Sequence, residues 1–177
     1  ETEILEGFAE RYFGTSEPIH QAMVKRFFIS AVARVLNPGC KNDCVLILKG
    51  DQSCGKSTFF EIMASKPWFD DSYSSSGDKE ERLKLHYSWI VEWGELEVVF
   101  EKKSISQVKD CLSCSTDKIR PPYGLSQQSL HRPSVIVGST NEDKFLADPT
   151  GNRRYWVVPM SQQLNRSQLR EERDRIW

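Results

Sequence analysis

The sequence lacks the features that would tie it to a membrane or to a disulfide scaffold. No apolar run approaches the ~20 residues that a transmembrane helix needs. The start, Glu1-Thr2-Glu3-Ile4, is acidic and has no apolar stretch of signal-peptide type. Neither sign of charge is in excess: 24 Lys and Arg stand against 25 Asp and Glu, for a formal net charge of −1. Bulk attraction to nucleic acid is therefore absent, and any such contact has to be local. Cysteine is sparse and odd in number. Cys40, Cys44, Cys54, Cys111 and Cys114 cannot all pair, and with no export signal they point to a reducing, cytoplasmic location. The spacings Cys40/Cys44 and Cys111/Cys114 would allow four zinc ligands. Against zinc, Cys44 opens an apolar stretch and the other two sit in or beside a helical pattern, where cysteine serves as a small buried residue. There is no internal repeat. The chain has 177 residues, 38% of them hydrophobic. That suffices for one domain with a core and is too short for two of ordinary size. The Glu1 start and Trp177 end read as those of a piece cut from a longer protein.

One stretch stands out among what is present. Gly50-Asp51-Gln52-Ser53-Cys54-Gly55-Lys56-Ser57, followed by Thr58, matches G-x-x-x-x-G-K-[ST], the phosphate-binding loop. Cys44 to Leu48 before it is a short apolar run of buried-strand type, and Ser57 to Ser65 after it suits a helix. Gly50 and Gly55 let the backbone turn its N–H groups around a phosphate, and the following helix offers its positive end to the same anion. Lys56 is placed to reach the terminal phosphates and the Ser57 hydroxyl to bind Mg²⁺.

Helical spacing over Ile4 to Phe13 predicts a first helix, ended by Gly14-Thr15-Ser16. A second runs from about Pro18 to Leu36 and is stopped by Asn37-Pro38-Gly39. These form an N-terminal helical segment, 1–40, before the core, 41–177. Pro67 to Gly77 reads as loop, Asp78 to Tyr87 as a short helix capped by Asp78, and Ser104 to Leu112 as another helix. Gln162 to Ile176 looks like a helix that continues beyond the chain.

Further polar residues sit where strands end. Ser88 to Trp93 is apolar and leads into Gly94-Glu95-Leu96-Glu97. A phosphate-binding loop needs an acid from a second strand, to hold Mg²⁺ or to polarise water. Glu95 is the first choice, then Glu92, then Glu97; exposed strand-end charges are the alternative. Ser134 to Gly138 is a third apolar strand closing with Thr140 and Asn141. An amide there can bond both a water and a terminal phosphate, or it can simply form a turn. Arg153 and Arg154 precede a fourth strand, Tyr155 to Val158, as arginine-finger candidates or as a structural ion pair. Between the second and third strands, Pro121, Pro122 and Gly124 exclude a regular element and suggest a projecting loop or hairpin. Lys118, Arg120 and Tyr123 make it basic and aromatic, which suits a nucleic-acid backbone as well as a solvated surface.

The ordered series Arg26 to Val35, Gly50 to Thr58, Trp89 to Leu96, Arg120 to Gly124, Gly138 to Asn141 and Gly151 to Trp156 resembles the virulence-associated protein E family. That family is a branch of P-loop ATPases similar to superfamily 3 (AAA+-like) helicases. It occurs in phages, plasmids and other mobile elements, often joined to a primase. The resemblance implies an α/β P-loop NTPase fold with a mainly parallel central sheet and helices on both faces. It implies ATP and Mg²⁺ as ligands, with Lys56 and Ser57 as the Walker A residues. Glu95, with Glu92, takes the Walker B place, although Gly94 precedes Glu95 where many ring helicases place two adjacent acids. Asn141 matches the sensor, and Arg153 or Arg154 the finger acting on a neighbour's nucleotide in a hexameric ring. Lys118, Arg120 and Tyr123 match a DNA-touching hairpin. The expected function is ATP-driven movement on single-stranded DNA. The alternatives are an ATP-gated binding or regulatory module without translocation, and a P-loop kinase with Arg153 and Arg154 in its lid.

Overall fold

The computed structural model describes residues 3–72, 79–94, 96, 99, 104–120, 126–142 and 152–177. Glu95, Tyr123 and the stretch from Asp143 to Gly151 fall outside them.

The apolar runs become parallel strands. The sheet consists of β1 (Val45–Lys49), β2 (Phe69–Asp70), β3 (Ile90–Trp93), β6 (Val135–Thr140) and β7 (Tyr155–Pro159). Their order across the sheet is β2-β3-β6-β1-β7, and every neighbouring pair is parallel. All five strands therefore end on the same edge. The chain leaves β1, second from one edge, crosses to the far edge and returns through β3 and β6 to β7, so β1 lies between β6 and β7. Ligands of open α/β sheets collect outside the carboxyl ends of strands at such a switch point.

Alternation along the strands explains the burial on both faces. Leu46, Leu48, Ile90, Val135 and Val137 join one core, with α1 (Phe8–Phe13), α2 (Pro18–Leu36), α3 (Lys56–Ala64) and α6 (Arg166–Ile176). Val45, Ile47, Val91 and Trp93 join the other, with Leu85 of α4 (Lys79–Tyr87) and Val108 and Leu112 of α5 (Ile105–Ser113). The first core is rich in rings: Phe13 and Phe59 pack edge to face with centroids 4.9 Å apart, and Phe8 meets Phe28 at 5.1 Å. No described helix is long and apolar enough to cross a membrane.

Two local expectations are corrected, and the hairpin expected around the proline-rich segment is borne out. The predicted helix over Ile4 to Phe13 is broken: Glu3–Leu5 is a 3-10 turn, and Gly7 in the left-handed region (φ 64°) precedes α1. Within the stretch read as loop, Lys66–Trp68 is a 3-10 turn, and Phe69 and Asp70 pair with Ile90 and Val91 as the edge strand. Two residues are too few to show a period. The proline-rich segment begins with a true strand, β4 (Thr116–Ile119), which pairs antiparallel with β5 (Gln128–His131).

The base of this hairpin is held by a buried ion pair. Asp117 and Arg132 are almost wholly covered; Arg132 Nε and Nη2 donate to Asp117 at 2.5 and 2.8 Å, and His86 Nε2 lies 3.0 Å from the same carboxylate. Burial alone would raise the Asp117 carboxyl. The hydrogen bonds and charges of Arg132 and His86 outweigh it and hold the group well below the ordinary carboxylate range. A depressed folded pKa contributes stability above the unfolded value, about 3.9, and loses it as pH falls further. Asp117→Asn leaves Arg132 buried without its counter-charge. It is expected to cost about 3–5 kcal/mol, read as a lower melting temperature at neutral pH and a weaker acid dependence below about pH 4.

Candidate functional site

The carboxyl ends of β1, β3 and β6 bring the polar residues of the sequence motifs together. β1 ends at Lys49, the chain turns through residues 50–55, and α3 starts at Lys56. The turn needs glycine at two positions. Gly55 sits at φ +106°, and a Cβ there would stand 2.7 Å from Leu164 Cβ; a Cβ on Gly50 would stand 2.5 Å from the Met160 carbonyl oxygen. The residues behind the loop are those following β7. Met160 N donates to Lys49 O, and Leu164 N donates to Cys54 O at 3.0 Å. Nothing in the sequence marks this backing; it follows from β7 lying beside β1. Gly55→Ala is expected to cost about 1–3 kcal/mol from strain at positive φ, with added cost from the Leu164 contact. Thermal melting of the variant checks this.

Lys56 is buried (9% exposed) and its ammonium is fully engaged. Nζ donates to Gly50 O and Asp51 O, each at 2.8 Å, and to Asn141 Oδ1 at 2.6 Å. Asn141 reaches it because β6 and β1 are neighbours in register, with Thr140 opposite Lys49. Of the remaining loop residues, Asp51, Gln52 and Ser53 are exposed, Cys54 is buried 4.0 Å from Lys56 Nζ, and Thr58 is half-buried on α3.

Strand parity selects Glu92. Ile90 faces the α3 side and Val91 the other, so Glu92 returns to α3. There its Oε1 accepts a 2.8 Å hydrogen bond from Ser57 Oγ. Glu92 is 1% exposed, and its Oε2 has no hydrogen-bond partner among the described residues. Burial pushes the carboxyl above its ordinary range; the Ser139 and Ser57 hydroxyls and the Lys56 ammonium oppose this, and the Asp71 carboxylate adds to it. Ser139 shares the face of Glu92 by the same alternation; it lies in the Gly138 to Asn141 stretch, where the motif pattern assigns it no role, and Asp71 lies in no motif.

The arginines stand elsewhere. Arg153 and Arg154 form a 3-10 turn at the start of β7, whose Tyr155 lies opposite Val45 at the start of β1. They are thus a strand's length, about 15 Å, from the carboxyl edge. Arg153 is exposed, and Arg154 Nε is 3.8 Å from Asp43 Oδ2. Neither lies over the loop of its own chain, where a kinase lid would have to place them. Lys118 and Arg120 are exposed on the β4–β5 hairpin, which returns to the amino-terminal end of β6.

A family model for the virulence-associated protein E-like domain matches residues 1–177. No curated protein matches the chain. Among solved structures, the apo A form of the NrS-1 C-terminal region is similar, with a TM-score of 0.65 and 14% identity over 97% of this chain. A second structure, of residues 305–718 of that region, gives 0.63 at 14% identity and again 97% coverage. This chain spans 43% and 42% of those chains, less than half their length. At such identity the likeness is one of fold.

Proposed function

Because this chain belongs to the virulence-associated protein E-like family over its whole length, we propose that it hydrolyses Mg²⁺-ATP to drive movement on single-stranded DNA in the replication of a phage, plasmid or other mobile element. The observation that carries the reading is the meeting of Lys56, Asn141, Ser57 and Glu92 at one sheet edge, beside a loop with no room for side chains at Gly50 and Gly55.

The residues fit such a ligand. Gly55 at positive φ, at the N-terminus of α3, lets the loop turn its backbone N–H groups toward phosphate oxygens. A buried carboxylate oxygen without a partner beside a hydroxyl suits a hard cation. Mg²⁺ held near Ser57 and Glu92 would neutralise charge on the terminal phosphates. Lys56 exchanges the Gly50 and Asp51 carbonyls for phosphate oxygens, which releases Asn141 to orient the attacking water. Glu95 follows β3 by two residues and is the second acid available for that water. Arg153 or Arg154, being remote from its own loop, serves a neighbouring copy in a ring. Lys118, Arg120 and Tyr123 contact the DNA.

Phosphate release from ATP, with and without single-stranded DNA, tests this on the assembled protein, whose mass is followed in the same conditions. Stimulation by DNA together with self-association supports the motor. Hydrolysis indifferent to DNA would leave an ATPase and remove the motor.

A further inference from the structure

β2 lies beside β3, and its register carries a second acid to the edge where Glu92 stands. Phe69 is opposite Ile90 and Asp70 opposite Val91. One step further along the chain, Asp71 comes opposite Glu92. Residues opposite one another in a parallel pair project to the same face. Phe69 follows this rule, since it packs against the core that contains Ile90. Asp71 therefore falls on the α3 side of the sheet, as Glu92 does. The chain is turned here by local bonds. Ser72 N and Oγ donate to Asp70 Oδ1 at 2.8 and 2.7 Å, and Lys84 Nζ donates to Ser72 O at 2.8 Å.

Two carboxylates brought to one place need a cation. Asp71 is exposed and makes no hydrogen bond or ion pair among the described residues. Its negative charge bears on Glu92 and makes that buried carboxyl harder to ionise. Glu92 Oε2, on a side chain 1% exposed, has no hydrogen-bond partner among the described residues. The two lysines of this edge are committed elsewhere. Lys56 Nζ is bonded to Gly50 O, Asp51 O and Asn141 Oδ1, and Lys84 Nζ is 2.9 Å from Glu81 Oε1. A divalent cation between the two acids turns their mutual repulsion into shared attraction. Mg²⁺ is commonly held by one or two carboxylates, with substrate phosphates and water completing its shell. An exposed acid beside a buried one, at the edge where the phosphates would lie, fits that pattern.

We propose that Asp71 is the second carboxylate of the metal site, holding Mg²⁺ together with Glu92 and Ser57. The proposal rests on the reading of this edge as an ATP site. It adds a residue from β2, a strand that carries none of the sequence motifs.

The test is calorimetric titration of a non-hydrolysable ATP analogue over a series of Mg²⁺ concentrations and in EDTA. Asp71→Asn is expected to need about tenfold more Mg²⁺ than wild type for the same analogue affinity. In EDTA its affinity should equal or exceed that of wild type, because one negative charge fewer faces the phosphates. Asp71→Glu should recover part of the Mg²⁺ response. Asp70→Asn keeps the acceptor for Ser72, lies on the other face and should follow wild type. If Asp71→Asn follows wild type at every Mg²⁺ concentration while Glu92→Gln loses the response, Asp71 is refuted as a ligand and the nucleotide site stands. If Asp71→Asn weakens the analogue equally in Mg²⁺ and in EDTA, the residue supports the loop and not the metal, and the proposal is overturned. If folded wild type does not bind the analogue in either condition, the ATP reading falls and the proposal with it.

Discussion

Glu92→Gln is expected to raise the melting temperature at neutral pH by a few degrees while reducing ATP hydrolysis by on the order of a hundredfold or more. The two effects have one origin. Glu92 is 1% exposed, and burial raises its carboxyl against the opposing pull of the Ser139 and Ser57 hydroxyls and Lys56. A carboxyl whose folded pKa is raised favours the folded state while protonated. Its contribution is complete below the unfolded value, about 4.3, and is lost as pH rises through the folded value. At neutral pH the charged form is therefore a burden on the folded protein in the absence of ligand. Glutamine keeps the shape and still accepts the Ser57 hydrogen bond, but it carries no charge. The gap in melting temperature between variant and wild type should widen as pH rises above the unfolded value, about 4.3, and narrow when Mg²⁺ and nucleotide are added. Calorimetric melting reads the first effect and phosphate release the second. A variant that is less stable than wild type across this range would contradict the account of Glu92.

The second large effect is expected for Lys56→Ala, with hydrolysis reduced at least about a hundredfold and nucleotide affinity lost with it. The ammonium satisfies Gly50 O, Asp51 O and Asn141 Oδ1. Removing it leaves these acceptors without their donor, worth about 1–3 kcal/mol if water cannot replace it. A modest fall in stability should thus accompany the loss of activity. Asn141→Ala separates the two roles. It leaves the two carbonyl contacts of Lys56 in place, so binding should be retained while the chemical step slows. Equal loss of binding in both variants would mean that Asn141 acts only by holding Lys56.

Much of this arrangement was legible in the sequence, and the reasons differ by element. The strands at Val45, Ile90, Val135 and Tyr155 are buried on both faces, so each appears as a continuous apolar run. Pro18 marks the start of α2 through local chemistry, and the helix forms there; α5 is legible from the one-face spacing of Ile105, Val108 and Leu112, whereas its Ser104–Gln107 capping box is a finding of the structure. What the sequence hid depends on neighbours far along the chain. β2 is two residues long and exists because Phe69 and Asp70 find Ile90 and Val91. β5, Gln128–His131, has little apolar character and is a strand because β4 pairs with it.

The candidate site divides in the same way. Lys56 and Ser57 are fixed by the spacing of Gly50 and Gly55, which is a local signal. In the sequence, the order of preference among Glu95, Glu92 and Glu97 follows from the end of the apolar run at Gly94. Strand parity is the better guide for Glu92: its side chain shares a face with Ile90 and meets Ser57. Ser139 and Asp71 act on Glu92 only because β6 lies beside β3 and because Asp71 follows β2. The support of the loop by Met160 and Leu164 comes from β7 lying beside β1. Arg153 and Arg154 stood out as a pair in the sequence. Only the sheet places them at the opposite end from Lys56.

The central claim is that the edge formed by Lys56, Ser57, Glu92 and Asn141 binds a nucleoside triphosphate. Calorimetric titration of a non-hydrolysable ATP analogue in the presence of Mg²⁺, into wild type and Lys56→Ala, tests it most directly. The account predicts saturable binding of one nucleotide per chain to wild type, weakened when Mg²⁺ is removed and absent in the variant. Equal binding to both proteins, or none to a folded wild type, would contradict it.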